Sequence, residues 1–153
     1  MRMISRLVGL LAVFVIGLPV HASAEEARGT ADEAKAMVGR AIAAYDEKGV
    51  AALAEMTAPS SVFRDRDLYI FVYGPDHRIA AHGADAAHVG RDLAEYFDVD
   101  GKPFALELAE RATAEGVWVD YKWQDPLSGE VRPKSTWVVL HDGYVFGCGI
   151  YKE

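Results

Sequence analysis

The side chains best suited to chemistry gather in the last third of the chain. Trp118-Val119-Asp120-Tyr121-Lys122-Trp123 precedes a turn at Asp125-Pro126-Leu127-Ser128-Gly129, and Lys134-Ser135-Thr136-Trp137 and Gly147-Cys148-Gly149-Ile150-Tyr151 follow. All three tryptophans lie here, interleaved with Lys122 and Lys134. Aromatic walls beside a few cations suit a pocket for a small, partly apolar anion. That chemistry is binding rather than catalysis.

Other chemistries find little support. His77, His82 and His88 lie close together near Asp76 and Asp85, but their spacing matches no zinc signature. Aligning Gly101 on the turn glycine of a calcium loop puts Asp98, Asp100 and Glu107 on ligand positions. It also puts Tyr96 on the first position and Pro103 at a helix start inside the loop. No metal and no cofactor is expected. The chain has no G-x-S-x-G elbow, no phosphate loop and no cysteine–histidine nucleophile signature, so no enzyme is expected. Cys148, the only cysteine, can form no intrachain disulfide, and its apolar run between Tyr144 and Ile150 points to burial.

The first 24 residues read as a secretory leader: Arg2 and Arg6, the apolar run Leu7 to Leu18, Pro19, and the small-x-small site Ala22-Ser23-Ala24. The apolar run is shorter than the ~20 residues a membrane span needs. The expected organisation is residues 1–24 as leader and 25–153 as one domain, periplasmic or secreted after cleavage. Losing the leader removes two basic and no acidic residues, taking the net charge from −7 to −9. An acidic body argues against nucleic acid as a partner, but a pocket is governed by its local charges.

Positioning those residues is the work of two helices and a sheet. Thr30 with Glu33 makes a capping box; Ala34, Met37, Val38, Ala41, Ile42 and Tyr45 then recur at helical spacing, and Gly49 supplies the stop. Leu68-Tyr69-Ile70-Phe71-Val72-Tyr73 is β-prone and apolar on both faces, as a covered central strand must be. Gly74-Pro75-Asp76 turns the chain into a second strand over Arg78 to His82, and residues 83–96 show no clear period. A helix is expected from Pro103 to about Glu115, and strands at 117–123, 134–140 and 144–151, the last two joined by Asp142-Gly143. The fold class is α+β: a five-stranded antiparallel sheet, a long N-terminal helix on one face, and a second helix between strands 2 and 3.

These segments, in this order, resemble the single Cache domain, a PAS-like extracytoplasmic sensing module of bacterial chemoreceptors and sensor kinases. Leu68 to Tyr73 is similar to the family's first strand, and Ala81-His82 to its "AHP" element, with Gly83 in place of the proline. Val89 to Leu93 resembles its "GxxL" turn, and Asp98 to Phe104 its "D-x-x-G" lead into the second helix. Trp118 to Trp123 resembles its "G-x-V-x-Y-x-W-P" strand, Pro133 to Trp137 its "P-K-x-x-Y" strand, and Gly147 to Tyr151 its closing "G-x-G-x-Y". The resemblance implies a pocket for small organic molecules, often short carboxylates. With the chain stopping at Glu153 it is similar to the stand-alone, secreted form, whose signal passes to a membrane receptor or kinase.

On this basis the expected ligand-binding residues are Tyr69, Phe71, His82, Tyr121, Trp123, Lys134 and Trp137. By resemblance Lys134 meets a carboxylate, with Tyr121 and His82 as hydrogen-bond donors. Gly147 and Gly149 share a strand face, as a ligand floor, a bulge or a place of close packing. The rival expectation is a structural or interaction protein with a collapsed Cache pocket, acting by protein contacts or as a homodimer through the N-terminal helix. An enclosed space under Trp123 and Trp137 favours the sensor; a filled interior favours the rival.

Overall fold

A computed structural model describes residues 28–152, so the leader expected at 1–24 lies outside the described residues. Helix α1 (Ala31–Lys48) starts at the expected capping box: Glu33 N–H donates to Thr30 Oγ1 at 3.3 Å, and Thr30 N–H to Glu33 Oε2 at 2.8 Å. It ends at Gly49, whose φ of +60° suits glycine. A short α2 (Ala51–Thr57) follows. Gly39, exposed in the middle of α1, has no neighbour within 4 Å of where a Cβ would stand. Gly39→Ala should therefore raise stability by about 0.5–1 kcal/mol through the lost freedom of the unfolded chain; a midpoint shift in urea reads it directly.

The sheet has six strands, all paired antiparallel: β1 (Arg64–Asp65), β2 (Leu68–Tyr73), β3 (Ile79–His82), β4 (Val117–Gln124), β5 (Val131–His141) and β6 (Tyr144–Tyr151). Along the sheet β2 is followed by β6, β5 and β4, with β1 and β3 also paired to β2. Among the described residues, the two-residue β1 is the only strand beyond the expected five. Every residue of β2 is buried, as its two apolar faces require. The β5–β6 hairpin turns at Asp142 and Gly143, both at positive φ, which is the geometry the Asp-Gly pair favours.

Two layers cover the sheet. On one face Met37, Val38, Ala41 and Tyr45 of α1 pack on Ile70, Val72, Phe146 and Cys148. Cys148 is fully buried there, its sulfur 3.7 Å from Met37 Sδ, and burial pushes its thiol up to about 12. On the other face lie Tyr69, Phe71, Tyr73, Val119, Tyr121 and Val138, covered by Leu93, Tyr96 and α3 (Phe104–Arg111).

The end of the second expected helix needs correction. Helix α3 stops at Arg111 rather than near Glu115: Ala112 is extended and Thr113 O accepts from Leu140 N–H at 2.9 Å, so the sheet claims the backbone. Residues 83–96 are ordered by side chains rather than by period. Asp85 and Asp92 cap the 3-10 turns Ala86–His88 and Leu93–Glu95, each accepting a backbone N–H at 2.9 Å.

The sheet's outer strands are not left bare. Along β4, Lys122 N–H donates to Asp98 Oδ2 at 3.2 Å and the Asp120 carbonyl accepts from Lys102 Nζ at 2.6 Å. Along β3, Ile79 N–H donates to Arg91 O at 3.0 Å and Ile79 O accepts from Gly90 N–H at 2.7 Å.

Candidate functional site

Strand register builds the site. Tyr121 faces Lys134 across β4–β5, and Lys134 faces Tyr151 across β5–β6, so the three form one row on the face away from α1. Tyr69 and Phe71 of β2 project to the same face. Gly149, opposite Thr136 in the adjacent row, leaves room for the lysine stem, since a Cβ there would overlap Thr136 Oγ1 and Lys134 Cε. Gly147 likewise makes room for the Phe71 ring. Both glycines thus serve close packing of site residues.

Lys134 is the centre of the arrangement. It is 1% exposed, the largest fully buried side chain among the described residues. Its Nζ donates to Tyr69 Oη at 2.7 Å and to Tyr151 Oη at 3.3 Å, and Tyr151 Oη donates onward to the Gln124 carbonyl at 2.6 Å. Neither partner is an anion, and among the described residues no carboxylate lies within ion-pair distance of Lys134. Burial pulls its pKa down to about 7. A buried cation held only by phenols is poised for an anion from outside the chain.

Its partner Tyr69 lines a cleft of about 450 Å³, together with His82, His88, Trp123, Asp125 and their neighbours. Tyr69, His82 and Trp123 also bound an inner chamber with Phe71 and Tyr121, and that chamber holds only about 20 Å³. A single water needs about 10–15 Å³. The expected enclosed pocket is therefore almost filled, and the usable space is the open cleft next to it. Tyr121 stacks on Phe104, 4.4 Å between centroids and 3° from parallel, and its hydroxyl bonds Thr136 Oγ1 at 3.0 Å. Tyr121 and Phe71 are walls of the filled chamber rather than of the cleft.

His82 ends β3, tied to α2 by its N–H, which donates to Thr57 Oγ1 at 3.2 Å. Its Nδ1 accepts from Asp85 N–H at 3.0 Å, which places the proton on Nε2 and presents a neutral donor. Burial first, then the neighbouring His88 and Lys134, take its pKa down to about 3. The folded state thus resists a proton that the unfolded chain accepts at about 6.5. Stability from this residue is present above pH 6.5 and is lost as pH falls toward 3. His88, lowered mainly by burial, adds to the same limb. His82→Gln should flatten the fall in melting temperature between pH 6.5 and 4.5; an unchanged limb would assign it to other groups.

Trp137 is the misplaced member of the expected set. It pairs with Trp118 and Cys148 and lies on the α1 face, where Lys35 Nζ sits 4.5 Å from its ring centroid. Strand parity separates it from Lys134. Residues missed in the sequence but present at the site are His88, whose Nδ1 lies 2.6 Å from the Tyr96 hydroxyl, with Tyr151, Gln124 and Asp125.

An antiparallel sheet with a helix layer on one face and a cleft on the other is an α+β, PAS-like arrangement. The sequence matches the profile of the single Cache domain 2 family over residues 14–153, and the chain belongs to that family. It is 34% identical over 90 residues to the sensor histidine kinase MctS of Rhizobium johnstonii, covering 58% of this chain but only 20% of that protein. Three solved structures share the fold. A methyl-accepting chemotaxis protein from Vibrio parahaemolyticus is 22% identical, with TM-score 0.64 over 78% of this chain and 86% of that one. A Cache chemosensory domain that recognises carboxylic acids is 18% identical, with TM-score 0.61 over 80% and 92%. A periplasmic sensor domain of a chemotaxis protein is 27% identical, with TM-score 0.56 over 80% and 90%. The chain is a sensor domain of the kind found in chemoreceptors and sensor kinases, and Cache domains are ligand-binding sensory modules.

Proposed function

We propose that this protein is a periplasmic sensor module for a short organic acid, which passes its state to a membrane receptor or kinase. The observation that carries the reading is Lys134: a buried lysine without a carboxylate, hydrogen-bonded to Tyr69, which lines a cleft of about 450 Å³. A ligand carboxylate supplies the missing charge, Tyr69 and the His82 Nε2–H orient it, and Trp123 shields its apolar part. The carboxylic-acid recognition described for one structural relative agrees with this chemistry. The nearly filled inner chamber favours the other reading, a protein acting through contacts alone. The unpaired lysine behind Tyr69 outweighs it, because a protein with nothing to bind gains no stability from an unpaired buried charge.

Thermal unfolding against two- to four-carbon carboxylates, amino acids and amines tests the proposal. A ligand at about 100 times its Kd adds roughly 2.7 kcal/mol, or several degrees for a domain of this size. A shift with carboxylates alone is expected. A shift with amines, or with nothing, overturns the assignment.

A further inference from the structure

A cation outside the cleft ties its rim to the start of α1. Arg28 Nη2 contacts Asp125 Oδ2 at 2.7 Å and Arg28 Nη1 contacts Asp67 Oδ2 at 3.3 Å; both carboxylates are fully buried. Asp67 Oδ1 also accepts from Gly29 N–H at 2.6 Å, pinning the residue before the helix cap to the head of β2. Asp125 shapes the turn on the cleft's rim: its Oδ1 accepts from Leu127 N–H at 2.9 Å and its Oδ2 from Ser128 Oγ at 3.0 Å. Two buried carboxylates therefore depend on one guanidinium, the side chain whose planar fork serves two acceptors at once. Among the described residues no other basic side chain is within ion-pair distance of either.

The same turn is joined to the buried Lys134. Lys134 donates to Tyr151, Tyr151 donates to the carbonyl of Gln124, and Gln124 precedes Asp125. Polar contacts thus run from Lys134 through the rim to Arg28, and from there to Gly29 beside the Thr30 cap of α1. An anion that draws on Lys134 acts on the 3.3 Å contact to Tyr151, the longer of the lysine's two, and so on the rim.

We propose that Arg28 is a positioning residue that couples the cleft to α1: it holds the rim turn and the helix start as one unit, so occupancy of the cleft changes the order of both. The ligand part rests on the carboxylate reading above; the mechanical link does not.

Amide hydrogen exchange on the full protein separates the two. In the ligand-free arm, Arg28→Lys keeps the charge but loses the fork. Exchange should rise at least about tenfold both in the turn at 126–130 and in the first turn of α1, with the Asp142-Gly143 hairpin unchanged. Asp125→Asn, 97 residues from Arg28, should loosen the helix start as well. Loosening confined to the mutated end in either variant overturns the link, and so does loosening of the whole domain. In the ligand arm, acetate should protect both ends of the wild type, but only the rim turn in Arg28→Lys. Equal protection of the helix start in both proteins overturns the coupling. If acetate leaves the wild-type melting temperature unmoved, the carboxylate reading fails with that probe, and the ligand-free arm still decides the link.

Discussion

Replacing Lys134 with methionine should weaken binding of a short carboxylate by roughly 10- to 150-fold, the range set by 1.5–3 kcal/mol for a charged hydrogen bond. Methionine keeps much of the length and fills the same space, so the variant should fold. Two opposing effects leave its ligand-free melting temperature within a few degrees of wild type: a buried charge is relieved, and the Tyr69 hydroxyl loses its donor. The pH dependence is more telling. Lys134 has a folded pKa of about 7, against an ordinary value of 10.5, so between these the unfolded chain holds more protons. The ligand-free protein is therefore most penalised below pH 7 and should gain stability as pH rises from 7 to 8.5. Above that window the Cys148 thiol, held up at about 12, works in the opposite direction. A bound carboxylate keeps the lysine charged, so binding should take up a proton at pH 8, and affinity should fall as pH rises. Calorimetry in buffers of different ionisation enthalpy measures that proton directly. Unchanged affinity in Lys134→Met, or binding without proton uptake at pH 8, would remove Lys134 from the site.

The second large effect is expected at a residue with no side chain. Gly149→Ala would place a methyl group into Thr136 Oγ1 and Lys134 Cε, both themselves buried. Overpacking of this kind costs about 1–3 kcal/mol. The strain falls on the lysine's own stem, so carboxylate affinity should drop along with the melting temperature. Gly39→Ala, on the open side of α1, is the control that changes the same atoms without the overlap. If Gly149→Ala binds carboxylates as wild type does, the lysine's position is not what the cleft depends on.

Much of the fold was legible because its signals are local. The Thr30–Glu33 box, the two-faced apolar run Leu68 to Tyr73 and the Asp142-Gly143 hairpin each fix an element within a few residues. The site was legible where strand parity governs it. Counting outward from Asp142-Gly143 pairs Lys134 with Tyr151, so the second phenol on the lysine could have been found in the sequence. The same parity puts Trp137 on the opposite face; its inclusion followed aromatic type rather than position. His88, Tyr96 and Asp125 come from loops, where no period tells which way a side chain turns. Arg28 and Asp125 meet across 97 residues, and no pattern in the chain announces such a pair. The near-filled inner chamber was illegible for a different reason. It depends on how Phe104 stacks on Tyr121, a matter of a few ångströms in packing rather than of residue type.

The hydrogen bonds along the outer sides of β4 and β3 carry a consequence for how copies of this domain meet. Each outward amide or carbonyl already claimed is one fewer rung for an incoming strand, and covering edges in this way is one means by which native sheets avoid cross-β growth. At these positions, contacts between copies would have to be made by side chains rather than by strand addition. Such contacts form and part without breaking a single rung of the sheet.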